Sequence, residues 1–144
     1  MQGTYTLLAP INQVWAFLMD PEEIAKVMPG CEALEEAAPD TYRATLKIGV
    51  AAVKGMYTGS VQLLDKNPPT SYRMLIEGSG TPGFVKGEAS VVLTAEDNRT
   101  ILAYDADTQV GGLIANVGQR MIGGAAKMLV KQSLKKLGEE LTRR

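Results

Sequence analysis

Apolar and polar residues take turns along the middle of the chain. In residues 40–50, Tyr42, Ala44, Leu46, Ile48 and Val50 alternate with Arg43, Thr45, Lys47 and Gly49. That is the period of a strand with one buried and one wet face. Residues 55–64 set Tyr57, Gly59, Val61 and Leu63 against Thr58, Ser60 and Gln62. Residues 71–77 place Tyr72, Met74 and Ile76 on one face. Residues 84–95 place Val85, Gly87, Ala89, Val91 and Leu93 opposite Lys86, Glu88 and Ser90, and residues 99–109 form the last strand. Asn67-Pro68-Pro69, residues 79–83 and Glu96-Asp97-Asn98 mark the turns between them.

The pattern before residue 40 differs. Residues 4–8 read as a short strand, and Ala9-Pro10 opens a helix with Val14, Trp15, Leu18 and Met19 at helical spacing. Asp20-Pro21-Glu22-Glu23 is a strong helix start, with an Asp cap, Pro at the first position and acids in the first turn. That helix runs to about Val27, is ended by Pro29-Gly30, and gives way to a strand after Cys31.

Residues 111–144 read as one long helix, although Gly118, Gly123, Gly124 and Gly138 each cost about 1 kcal/mol relative to alanine in a helix interior. At 100° per residue, Ile114, Val117, Gly118, Met121, Ala125 and Met128 share one face, which is expected to meet the sheet. The facing sheet positions include the small residues Ala44, Gly59, Gly87 and Ala89. Small residues on both sides allow either a very close approach or a cavity, and methionine suits both. Past Met128 the pattern turns over. Val130, Leu134, Leu137 and Leu141 form a strip on the opposite face, beside Lys127, Lys131, Lys135 and Arg120. An apolar strip beside a lysine strip suits a membrane surface or a protein partner. A helix that outruns the sheet, or packs in a dimer, gives the same pattern. The helix thus reads as a lid continuing into a docking tail.

The fold class expected is α+β, in one domain over residues 1–144: an antiparallel sheet, two short helices after the first strand, and the terminal helix covering one face. In a meander, antiparallel geometry gathers four glycine-bearing segments at one end: residues 28–31, 54–57, 80–84 and 111–116. Hairpins need glycine in any case, but such a cluster also suits the mouth of a cavity.

Composition removes several chemistries. The 144 residues contain no histidine and a single cysteine, Cys31. The commonest general base, a thiolate metal site and an internal disulfide are therefore excluded. The lone cysteine points to a reducing, intracellular compartment. No P-loop or dinucleotide fingerprint occurs, since Gly78-Ser79-Gly80 lacks a third glycine and a following helix. The start MQGTYTLLAP has neither the basic beginning nor the apolar stretch of a secretory leader. No apolar run is long enough to span a bilayer. Residues 112–144 hold seven basic and two acidic residues, whereas the remainder holds eight basic and fourteen acidic. The acidic body, without a basic-aromatic surface, argues against nucleic acid. The acids Glu77, Glu88, Asp105 and Asp107 are the candidates for general acid–base work, and strand-end acids of this kind are usually solvated.

Five stretches carry a family resemblance: Asp20-Pro21-Glu22; Pro29-Gly30-Cys31; Lys54-Gly55-Met56-Tyr57-Thr58-Gly59; Val85-Lys86-Gly87-Glu88-Ala89; and Gly112-Leu113-Ile114-Ala115 followed by Gly118-Gln119-Arg120. On these the whole chain resembles the carbon monoxide dehydrogenase G-subunit family, within the START-like (SRPBCC, helix-grip, Bet-v-1-like) superfamily. The resemblance implies a curved sheet gripping the terminal helix around a hydrophobic cavity. It also implies an accessory role, recruiting a molybdenum carbon monoxide dehydrogenase or related oxidoreductase to the inner face of the cytoplasmic membrane. A lipophilic cavity beside such an enzyme suits a quinone or other lipid, with no covalent cofactor and no metal.

The expected lining is Met28, Tyr57, Met74, Ile76, Phe84, Val85, Val117, Met121, Ala125 and Met128. The expected docking surface is Lys127, Val130, Lys131, Leu134, Lys135, Leu137 and Leu141. Two other readings stay open. One is a docking protein with a solid interior and no ligand. The other is a small cyclase- or hydrolase-like enzyme using Asp105 or Glu88.

Overall fold

A computed structural model describes residues 1–50 and 53–143. The elements follow the order β1 (Gln2–Leu7), α1 (Ile11–Leu18), α2 (Pro21–Val27), β2 (Cys31–Ala38), β3 (Thr41–Ile48), β4 (Gly55–Asn67), β5 (Ser71–Gly80), β6 (Gly83–Glu96), β7 (Arg99–Gly111), a 3-10 helix (Leu113–Val117) and α3 (Gln119–Thr142). The strands form one curved antiparallel sheet in the order β1-β7-β6-β5-β4-β3-β2. The alternation read from the sequence holds across it. Ala44 lies opposite Gly59, Gly59 opposite Gly78, and Leu93 opposite Leu102, so each inward set shares one face. The turn expected over residues 79–83 shrinks, because β5 and β6 pair as far as Gly80 and Gly83.

α2 starts as its sequence dictates. The Asp20 side chain accepts the Glu22 backbone N–H at 3.0 Å, Pro21 occupies the first turn, and Glu22 and Glu23 follow.

The terminal segment is not one helix. β7 runs on to Gly111, a 3-10 stretch follows, and Gly118 interrupts the chain before α3 begins. Gly112 and Gly118 have φ of 79° and 99°, backbone conformations that residues with a Cβ rarely adopt.

The packed core lies toward one end of the sheet's inner face. Leu7, Leu93 and Leu102 from the sheet meet Val14 and Phe17 of α1, Val27 of α2, and Leu137 and Leu141 of α3. Trp15 packs edge-on against Tyr72, with ring centroids 5.7 Å apart at 83°. Thr100, the buried polar side chain of this core, donates its hydroxyl to the Ala9 carbonyl at 2.8 Å.

This arrangement inverts the two halves assigned to the terminal helix. Leu137 and Leu141 are 3% and 2% exposed and belong to the core, Leu134 packs against it, and Val130 is half-buried. They do not form an outward docking strip. Met121 and Met128, assigned to the sheet-facing side, are 57% and 50% exposed. The cause is helical phase. A 100° step carried from Ile114 to Met128 assumes an unbroken α-helix, but the 3-10 turn has three residues per turn and Gly118 is not helical, so the phase resets before Gln119.

Candidate ligand-binding site

Three segments surround a cleft of about 850 Å3. Pro29 and Gly30 contribute the turn between α2 and β2, and Lys47, Ile48, Gly49 and Val50 contribute the end of β3. The third wall is one flank of α3. Arg120, Gly124, Met128, Gln132 and Lys136 recur every four residues along it, with Met121, Ala125 and Leu129 beside them. The stripe from Arg120 to Lys136 is about 24 Å long at 1.5 Å per residue. The volume falls in the roughly 300–1,000 Å3 range of small-molecule sites.

The glycines of α3 explain why this flank stands open. A Cβ added at Gly123 or Gly124 would meet nothing within 4 Å, so these glycines do not mark a close approach to the sheet. Gly138 differs: a Cβ there would lie 3.6 Å from the Tyr5 ring, at the packed end. Across the sheet, Ala44 and Ala89 are buried, Gly59 lies between Ala44 and Gly78, and Gly87 lies between Ile76 and Thr108. At Gly59 any Cβ would overlap the Glu77 carbonyl, so the strands themselves approach closely there.

The four glycine-bearing segments do assemble at one end. The Lys47 N–H donates to the Gly30 carbonyl at 2.7 Å, and Lys47 lies opposite Met56 in the sheet. The Pro82 ring occupies the space a side chain at Gly55 would need. The Ile114 N–H donates to the Pro82 carbonyl at 2.7 Å, which docks the 3-10 helix on the β5–β6 turn and buries Ile114.

Of the expected lining, Met121, Ala125 and Met128 border the cleft. Ile76 and Val85 are half-buried on the inner face, outside its walls. Met28 is half-buried at the end of α2, and Met74 packs against the core cluster. Tyr57 is buried, its hydroxyl donating to the Val53 carbonyl at 2.7 Å, and burial pushes its phenol up from the ordinary tyrosine value. Phe84 is a correction. Neighbouring residues of a strand point to opposite faces, so Phe84 and Val85 cannot both face inward. Phe84 lies across from Gly111 and is 46% exposed, its ring filling the space a Gly111 side chain would take. Val117 is a second correction, exposed on the 3-10 helix.

Of the expected docking residues, Lys127, Lys131 and Lys135 are exposed on α3, Lys135 beside Tyr5 and Thr6 of β1. Residue-by-residue reading missed the contributions of Lys47–Val50 and of Arg120, Gly124, Gln132 and Lys136. The four-residue recurrence from Arg120 to Lys136 is the signal that marks the α3 members of this set.

The candidate acids are arranged for solvent. Glu77, Glu88, Asp105 and Asp107 are all exposed, and Glu88 lies 3.5 Å from Arg73. Burial pushes the Cys31 thiol up, the opposite of what an activated nucleophile requires. Among the described residues no group of three or more His, Cys, Asp or Glu is placed to hold a metal, and no helix is long and apolar enough to cross a membrane.

Several small proteins share this architecture. A conserved protein from Geobacillus kaustophilus is 41% identical, with a TM-score of 0.95 over 99% of this chain and 94% of that one. A START superfamily protein from Mycobacterium smegmatis is 14% identical, with a TM-score of 0.79 over 99% and 97% of the two chains. A protein from Chromobacterium violaceum is 19% identical, with a TM-score of 0.70 over 96% and 94%. The last two likenesses establish the helix-grip fold. No curated protein matches this chain. The family model described as the G subunit of carbon monoxide dehydrogenase (CoxG) matches residues 3–142. A match over nearly the whole length decides the family: the chain belongs to the carbon monoxide dehydrogenase G-subunit (CoxG) family.

Proposed function

We propose that this protein is a non-catalytic accessory protein that holds a hydrophobic molecule, a quinone or another lipid, in the cleft beside α3. It would present that molecule to a molybdenum carbon monoxide dehydrogenase, or a related oxidoreductase, at the inner face of the cytoplasmic membrane. The observation that carries the reading is the pair Met121 and Met128: large apolar side chains left half-exposed along a cleft whose walls carry Gly124 and Ala125. Burying such a side chain from full exposure is worth about 1.5–3 kcal/mol, so covering the exposed half of each recovers about half of that when an apolar ligand is seated there. The family supplies the accessory context. The test is organic extraction of the protein from its native source, followed by mass spectrometry. A lipophilic molecule should be recovered. Recovery of none, together with no binding of a quinone analogue, would end this reading.

A docking role without a ligand is the second reading, favoured by the exposed Lys127, Lys131 and Lys135 of α3. Replacing the buried leucines cannot test it, because Leu137 and Leu141 hold the fold together. The Lys127→Gln, Lys131→Gln, Lys135→Gln triple variant can. Under this reading the variant loses recruitment, and neither it nor the parent protein takes up a quinone analogue.

A further inference from the structure

The cleft is apolar along its middle and basic at its rim. Met121, Ala125, Met128 and Leu129 of α3 share it with Ile48 and Val50. Arg120 stands at one end of the α3 stripe and Lys136 at the other, whereas Lys47, next to inward Ile48 in β3, belongs to the outer face of the sheet. No Asp or Glu is among the described residues lining it. Arg120 and Lys136 have no carboxylate within ion-pair distance among the described residues, as is also true of Arg43, Lys54, Lys86, Lys127, Lys131 and Lys135, so what sets these two apart is their place at the ends of the cleft. Both are exposed.

We propose, building on the ligand-binding reading above, that the cleft takes a long-chain amphiphile with an anionic head, an acyl chain ending in a carboxylate or phosphate. The chain lies along the α3 stripe and the head stays at one of its two cationic ends. This division avoids the main cost of binding an ion. The head keeps its water while the chain loses its own, so no charge is carried into an apolar interior. Each methylene buried raises affinity about fourfold. Each exposed cation adds up to about fivefold, which salt reduces. Arg120 also offers a planar fork that matches a carboxylate or phosphate with two parallel hydrogen bonds. A neutral lipophile gains only from the chain.

The test titrates the full-length, delipidated protein at pH 8 and low salt with four probes: oleate, oleyl alcohol, lysophosphatidylglycerol and decylubiquinone. Oleate and oleyl alcohol share a chain and differ in head charge. Oleate and lysophosphatidylglycerol should each bind up to about fivefold more tightly than oleyl alcohol. Whichever of the two binds tighter identifies the head as carboxylate or phosphate. The advantage should shrink with added salt. It should vanish in the Arg120→Gln, Lys136→Gln variant, which should still bind oleyl alcohol and melt at the wild-type temperature. Equal binding of oleate and oleyl alcohol by the wild-type protein, a comparison that needs no variant, overturns the proposal. A preference that survives in the variant overturns it too. Binding of decylubiquinone without charge preference leaves the ligand-binding function standing and removes this inference alone. Binding of none of the four removes both.

Discussion

The Tyr57 hydroxyl donates a 2.7 Å hydrogen bond to the Val53 carbonyl, fastening the inner face of β4 to the turn that precedes it. Both groups belong to the end of the sheet where the glycine segments meet, and Tyr57 is buried there without lining the cleft. Tyr57→Phe keeps the ring and removes the bond. Stability should fall by about 0.5–1.5 kcal/mol in a urea titration. Affinity for a quinone analogue should be unchanged, and a large loss of affinity would move Tyr57 into the binding site.

Leu137 and Met128 test the inverted halves of α3. Leu137→Ala deletes a core side chain and should cost about 2–5 kcal/mol. Met128→Ala removes a half-exposed one and should stay within about 1 kcal/mol of the parent, while weakening ligand uptake. Denaturant midpoints of the two variants, measured side by side, check this. The reverse order of damage would restore the outward-facing strip.

The glycines of α3 separate by conformation. Gly123→Ala and Gly124→Ala meet open space and should each stabilise the protein by about 1 kcal/mol. Gly118→Ala places a Cβ at φ 99° and should instead destabilise by about 1 kcal/mol or more. Melting temperatures read the contrast directly. Loss of stability at Gly123 or Gly124 would mean that the helix lies nearer to another surface than the open flank of the cleft allows.

Tyr72 gives an alkaline signature. Burial beside Trp15 raises its phenol well above the ordinary tyrosine value of about 10. The folded state therefore keeps its proton where the unfolded chain releases it. The stability tied to this group is fully present below about pH 10 and is lost as pH rises toward the folded value. Thermal melts from pH 8 to 11 should show a decline above about pH 10, and Tyr72→Phe should flatten it. An unchanged slope in the variant would assign the decline to other groups.

Strand periodicity was legible because each strand is wet on one side and buried on the other. Ala44 and Gly59 fall opposite each other as two independent runs of alternating residues require. The Asp20 cap was legible because its chemistry is local. Two features were not. The facing of α3 depends on how a 3-10 turn and Gly118 reset the helical phase, which no constant angular step reproduces. Phe84 and Val85 are both apolar and both lie at the mouth segment, yet the alternation of a strand lets one of them face inward and turns the other out. The cleft was legible in part. Met121, Ala125 and Met128 share one helix face as their spacing requires, although the two methionines of that face stand open along the cleft and do not meet the sheet. The contributions of Pro29 and Lys47 needed the tertiary meeting of the α2–β2 turn with the end of β3.

The separation of Leu93, Leu102, Leu137 and Leu141 from Val50, Met121, Gly124 and Met128 bears on how sequences of this architecture drift. Proteins persist only above a stability threshold, and most substitutions move them toward it. Here the residues that keep the chain above that threshold are not those that line the cleft beside α3. Variation along one flank of a single helix can therefore reshape that cleft at small risk to foldedness. Divergent members would be expected to share a recognisable leucine end and to differ most along the flank that borders the cleft.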